Sequence, residues 1–226
     1  MAHALGEAGA RIMLCAPNAD ELEAAMTELH DAGIDARWVV ADCAVEKDLE
    51  RLVSEMLHRM GDVDILINNA DTSWEAPAHD APADAWDRAM ALNVRGYFLL
   101  SQLVGKQSMI GRGGRIINVA CHHNTLIHLT IQGAVINFTR ALACEWGRHG
   151  INVNAICPGF FASHLTAGTM ATLGEDHLVA VTPLKRLGDD EDLKGATLLF
   201  ASDAGKYITG QWLAVDGGVS ASHSSF

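Results

Sequence analysis

Short apolar runs and stretches of helical periodicity alternate along the whole chain. Residues 10–16 (ARIMLCA) read as a buried strand. Asn18 can cap a helix that carries Leu22, Ala25, Met26 and Leu29 on one face and stops at Gly33. A strand is predicted at 35–43. An amphipathic helix at 46–60 then aligns Leu49, Leu52, Val53, Met56 and Leu57 before Gly61. Residues 63–70 give a third strand, and 84–110 repeats Trp86, Met90, Val94, Phe98 and Leu99 at helical spacing. Further strands are expected at 115–120, 151–157 and 211–218, with helices at 133–148 and 189–202. Pro158 and Gly159 stop the fifth strand, and the acidic run 189–192 reads as a helix start that favours the positive end of the dipole. Trp86 and Trp146 fall on amphipathic helices, where packing or subunit contact is their ordinary role.

Strand, helix, strand repeated this often implies an α/β fold: a three-layer, doubly wound parallel sheet, Rossmann-like, with helices on both faces. The predicted strands are near-continuous apolar runs, as double coverage requires. No internal repeat or linker interrupts the pattern, so 1–226 reads as a single domain. Flexibility is expected at 160–176 and in the polar tail 220–226.

Composition narrows the function classes. The 226 residues are 49% hydrophobic and 19% charged, with a formal charge of −12. Such acidity argues against nucleic acid or an anionic membrane surface as partner. No apolar run approaches the length of a bilayer span, and the first residues lack a secretion pattern, so a cytoplasmic location is expected. Five cysteines without paired spacing are expected to stay reduced.

Several motifs in fixed order resemble the short-chain dehydrogenase/reductase family over almost the whole chain. They are Asn68-Asn69-Ala70, Leu92-Asn93-Val94, Arg115 to Val119 (RIINV), Gly133-Ala134-Val135, Asn152 to Gly159 (NVNAICPG), Thr209-Gly210-Gln211 and Val215 to Gly218 (VDGG). The resemblance implies NAD(P)-dependent oxidoreductases, often tetrameric, with a sheet ordered 3-2-1-4-5-6-7. It also implies a substrate lid at 160–188, and subunit contacts through helices 84–110 and 133–148 of a homodimer or homotetramer.

Four departures from that family shape the expectation for this chain. The family begins with a strand and a glycine-rich turn that cradles the pyrophosphate at a helix N-terminus. Residues 1–9 read instead as the second half of that helix, so the chain is expected to be N-terminally truncated and degenerate. Without the family's central strand, strands 10–16 and 63–70 are expected either to pair directly or to be bridged by another chain. Second, Asp71 stands where the family has a glycine close to the cofactor. Third, Cys121 replaces the active-site serine, and the loop from there to His128 is short. Fourth, His128 and Gln132 occupy the positions of the catalytic tyrosine and lysine, and a neutral Gln cannot lower a phenol's pKa. Of the four usual catalytic positions only Asn93 remains. Asp42 on the adenine side, Asn69, Ala70, Pro158, Gly159 and Ser163 are retained and read as vestiges of a cofactor site.

Cys121, His122, His123 and His128 cluster at the carboxyl end of a strand, with Asp71 expected to face the same crevice. Trp74, Gln132 and Phe160 are the expected pocket wall beside His122 and His123. Cys, His and Asp are also zinc ligands, but no ligand spacing is present, so no metal is expected. The residues are equally consistent with a disused site whose side chains are solvated loop. If the site is active, His128 is the acid/base, with Asn93, Cys121 and Asp71 around it. The expected function is acid/base chemistry of the isomerase or lyase type on a small molecule, with no cofactor and NAD(P) binding weakened. Two other readings stand beside it. One is an NAD(P)-dependent oxidoreductase acting on a hydroxyl or carbonyl. The other is a non-catalytic subunit partnering an intact relative.

Overall fold

The computed structural model describes residues 1–72, 77–120, 126–162 and 174–222. Helix α1 (Ala2–Glu7) leads into β1 (Ile12–Ala16), then α2 (Ala19–Asp31) and β2 (Ala36–Val40). Asn18 caps α2 as expected: its side-chain oxygen accepts from the backbone N–H of Asp20 at 3.0 Å and of Glu21 at 3.4 Å. Helix α3 (Glu46–Met60) ends at Gly61, whose φ of +80° only glycine adopts without strain. Next come β3 (Ile65–Asn68), α4 (Ala83–Met90) and α5 (Tyr97–Val104), with π-helical turns at Ala91–Gly96 and Gly105–Met109. The chain continues through β4 (Gly114–Val119), α6 (Leu126–Trp146), β5 (Ile151–Pro158), α7 (Glu175–Val181), α8 (Lys194–Ala201) and β6 (Trp212–Val215).

All strand pairs are parallel, but they form two sheets. β1 pairs with β2, while β3, β4, β5 and β6 pair in that order. The expected direct pairing of the first and third strands does not occur within this chain. The two sheets are joined by side chains instead. On one face Ile12 and Leu14 of β1 share a cluster with Ile65 and Ile67 of β3, beneath α1, α2 and α8. On the other, Met13 and Cys15 share a cluster with Leu66, beneath α3, α5 and α6. Alternation along each strand therefore sends successive residues into opposite layers of one three-layer stack.

Three local expectations change. Helix α6 runs from Leu126, not 133, because its first turns bury Ile127 and Ile131 against Ala120 and Tyr97. The run 189–192 is a turn ahead of α8, closed by Asp192 N–H to the Asp189 carbonyl at 3.1 Å. Its Asp192 carboxylate pairs with Arg186 at 2.5 and 2.7 Å, which holds it well below the usual carboxylate range. Within residues 160–188, expected to form a lid, Leu178 is buried on the unforeseen helix α7. Trp86 and Trp146 pack where they were expected to, at the edges of two apolar clusters.

Candidate active site

The carboxyl ends of β3, β4 and β5 lie side by side, where open parallel sheets place their ligands. A buried polar ladder braces them. Asn68 Nδ2 donates to Asn118 Oδ1 at 2.8 Å and to Ser101 Oγ at 3.0 Å, and Asn118 Nδ2 donates to Thr139 Oγ1 at 2.9 Å. Two strands are thereby tied to α5 and α6 through groups that would each cost about 1–3 kcal/mol if left unpaired. Asn68 Oδ1 is buried with no hydrogen-bond partner among the described residues.

Asn93 sits in the π-helical turn between α4 and α5 and is 3% exposed. Insertions of this kind recur at functional sites, since they turn one side chain away from the helical register. Asn93 Nδ2 donates to the Asp71 carboxylate and to the Thr72 carbonyl at 3.2 Å, and its Oδ1 accepts from Thr72 N–H at 3.1 Å. The structure thus brings together two of the expected residues, Asn93 and Asp71, and fixes the chain just beyond β3. One turn further on, the Tyr97 hydroxyl donates to the Val119 carbonyl at 3.1 Å and fixes the last residue of β4. Sequence reasoning passed over both Tyr97 and the Asn68 ladder. The available signal was an amide inside each of two apolar strands.

His128 lies in the first turn described for α6 and is only 2% exposed. The reading of these residues as solvated loop therefore fails at His128. Gln132, one turn on, is half-buried and hydrogen-bonds the Cys157 thiol of β5. Burial pushes that thiol up to about 11, so Cys157 is a neutral packing group at physiological pH.

Pro158 ends β5. At Gly159 an added Cβ would lie 2.6 Å from Asp216 Cα, so that position must stay bare backbone. Phe160 lines a cavity of about 400 Å³ with Phe161, Leu184, Arg186 and Asp216. At the far side, Asp42 opens the turn after β2. Its Oδ1 accepts from Ala44 N–H at 2.8 Å, and its own N–H donates to Asp48 Oδ2 at 2.9 Å. That N–H and the Arg51 guanidinium hold the Asp48 carboxyl below its ordinary value. Asn69 is exposed, and Ala70 packs at the edge of the cluster shared by the two sheets. Trp74, Cys121, His122, His123 and Ser163 lie outside the described residues.

A family model described as enoyl-(acyl carrier protein) reductase matches residues 1–220. With the fold and motif order above, the chain belongs to the short-chain dehydrogenase/reductase family. It is 34% identical over 230 residues to gluconate 5-dehydrogenase of Gluconobacter oxydans (strain 621H), covering 98% of this chain and 90% of that one. It is 32% identical to 5-keto-D-gluconate 5-reductase of Escherichia coli (strain K12), covering 97% and 89%. Among solved structures it is similar to a gluconate 5-dehydrogenase from Burkholderia cenocepacia J2315 in complex with NADP and tartrate. That match has a TM-score of 0.90 and 31% identity, covering 98% of this chain and 89% of that one.

These relatives correct two expectations. Cofactor-independent isomerase or lyase chemistry is overturned, since the relatives are named for dehydrogenation and reduction. The expected absence of a cofactor is overturned too, since a relative of the same fold is solved with NADP. The reading erred by giving four local departures more weight than a similarity that spans nearly the whole chain. Among the described residues, no helix is long and apolar enough to cross a membrane.

Proposed function

We propose that the chain is an NAD(P)-dependent oxidoreductase that interconverts a hydroxyl and a carbonyl on a small polyhydroxylated acid. The similarity to gluconate 5-dehydrogenase across 98% of the chain carries this reading. The residues present fit the ends of a dinucleotide. Gly159 packs its bare backbone directly on Asp216, so no side chain projects from the chain just after β5, and Asp42 and the exposed Asn69 supply polar groups along the strand ends. The leftover Asn68 Oδ1 is one more acceptor beneath that edge. Asp42, Asn69, Ala70, Pro158, Gly159 and Ser163 would hold the cofactor, which supplies or accepts the hydride when bound.

His128 takes or gives the hydroxyl proton at an imidazole nitrogen, the task for which histidine is best matched near neutral pH. Its burial excludes water from that nitrogen. Asn93 positions Asp71 and Thr72 through three hydrogen bonds, and Gln132 braces α6 against β5. Cys121, His122, His123, Trp74 and Phe160 complete the pocket wall in this reading. The chain works in the cytoplasm and self-associates through Ala83–Met90, Tyr97–Val104 and Leu126–Trp146. Phe98 and Leu129 support that reading, being 46% and 47% exposed on those helices.

Titration of the purified chain with NADPH and NADH, followed by tryptophan fluorescence, tests the cofactor. Consumption of the reduced nicotinamide with 5-keto-D-gluconate tests the reaction. Saturable binding and turnover are expected. His128→Ala is expected to lower kcat by about 10²–10⁴ while cofactor binding persists. Failure of both nucleotides to saturate the protein would overturn the proposal.

A further inference from the structure

We infer that Cys15 and Cys43 form a redox-active dithiol that closes to an intramolecular disulfide. Their sulfurs lie 3.8 Å apart, in hydrogen-bond contact, although 28 residues separate them in the chain. Nothing in their sequence spacing announces the pair. It is made by the turn after β2.

The parallel ladder of β1 and β2 continues one step past β2, where Ala41 N–H donates to the Ala16 carbonyl at 3.0 Å. The chain then reverses in a tight turn, closed by Val45 N–H to the Asp42 carbonyl at 2.9 Å and by Asp42 Oδ1 accepting from Ala44 N–H. Asp48 anchors the turn from α3 through the Asp42 N–H. A third support comes from the π-helical turn: a Cβ at Gly96 would lie 2.6 Å from the Cys43 carbonyl oxygen. Cys43 is thus buried on a turn braced from two neighbouring helices, directly against the end of β1.

Cys15 is the accessible partner. It is half-buried near the end of β1, a strand whose only hydrogen-bonded neighbour among the described residues is β2. A disulfide needs its sulfurs at about 2.05 Å, so the pair must close by less than 2 Å. The hydrogen bond from Cys43 lowers the Cys15 thiol below its ordinary value, while the same contact, burial and the neighbouring carboxylates of Asp42 and Asp48 push Cys43 up. Cys15 is therefore the thiolate that reacts first, and Cys43 holds its proton until it resolves the intermediate.

With a peroxide as oxidant the electrons balance. The Cys15 thiolate attacks one peroxide oxygen, forming an S–O bond as the O–O bond breaks; the leaving hydroxide takes a proton and departs as water. Cys43 then loses its proton and attacks the Cys15 sulfur, forming the S–S bond as the S–O bond breaks and a second water leaves. Two thiols and one hydrogen peroxide give one disulfide and two waters. A thiol reductant reverses the bond by exchange.

The test uses the whole chain, hydrogen peroxide as probe, and the exposed Cys144 as an internal reference. Oxidised protein is alkylated under denaturing conditions and weighed. The expected product is a monomer in which alkylation falls from five thiols to three, with the peptides of Cys15 and Cys43 linked and both thiols recovered by dithiothreitol. In Cys43→Ser, Cys15 should stop at the sulfenic acid and be trapped by dimedone. Oxidation of Cys144 while Cys15 and Cys43 both remain alkylatable would overturn the inference, as would a disulfide joining either of them to any other cysteine. The measurement on the unaltered chain decides the matter even if the variant does not fold.

Discussion

Buried polar side chains set the positions of the strand ends in this molecule, and each carries a definite cost if disturbed. The amide ladder Asn68–Asn118–Thr139 and the Asn93 bonds to Asp71 and Thr72 fix the ends of β3 and β4 and the chain just beyond β3. Gln132 spends its side chain on the Cys157 thiol, which sits 1% exposed in the core. That thiol offers a clean pH signature. Its value is raised in the folded protein, to about 11 from 9.0, so the unfolded chain loses its proton first as pH climbs. The stabilisation is fully present below about pH 9 and is lost between pH 9 and 11. The loss amounts to roughly 2–3 kcal/mol at 1.36 kcal/mol per pKa unit. Urea unfolding of the parent chain and of Cys157→Ala should therefore show midpoints that converge over that interval. A constant difference from pH 8 to 11 would contradict the assignment. At this scale Asn93 and Asp71 were legible in the sequence, because a family motif and a strand end located them. Tyr97 was not, because its role is one hydrogen bond to a carbonyl on another element.

Among the elements, the π-helical turn at Ala91–Gly96 does two tasks. It presents Asn93 to the loop after β3, and it seats its last residue against the turn after β2. Gly96→Ala sets two effects against each other. Alanine favours helix by about 1 kcal/mol over glycine. Its Cβ, however, would lie 2.6 Å from a backbone oxygen of Cys43, which no rotamer can relieve. Overpacking of this kind costs about 1–3 kcal/mol, and here both contacting segments are braced, so the clash prevails. Calorimetry should record a fall in Tm of several degrees, at about 2–4 °C per kcal/mol for a chain of this size. An unchanged or higher Tm would show that the two segments are not in contact. The pattern of apolar residues predicted one continuous helix over 84–110; the π turns were invisible to it because they preserve the apolar face while inserting residues.

For the whole molecule, cohesion between the two sheets comes from side chains rather than backbone ladders. Clusters on both faces span β1 and β3, so the layers hold although the strands do not hydrogen-bond to one another. The exposed apolar side chains on the long helices bear on assembly. Phe98, Ile110, Leu126 and Leu129 are 44–47% exposed on or beside the helices proposed to form the subunit contact. Phe98→Glu combined with Leu129→Glu should shift the protein to a smaller species in sedimentation velocity, because a charge buried in such an interface is strongly disfavoured. Identical sedimentation of variant and parent would place self-association elsewhere.

The order of the six strands, the cap at Asn18, the stop at Gly61 and the inward faces of α2 and α3 were determined by the sequence itself. Propensity, capping and apolar period are local quantities, set by residues within a few turns of one another. Only the tertiary structure decided that His128 is buried, that β1 and β3 are linked by side chains alone, and that Cys15 meets Cys43. Those outcomes depend on how separate segments dock, and docking is fixed by packing and hydrogen-bond satisfaction across the layers rather than by any pattern along one of them.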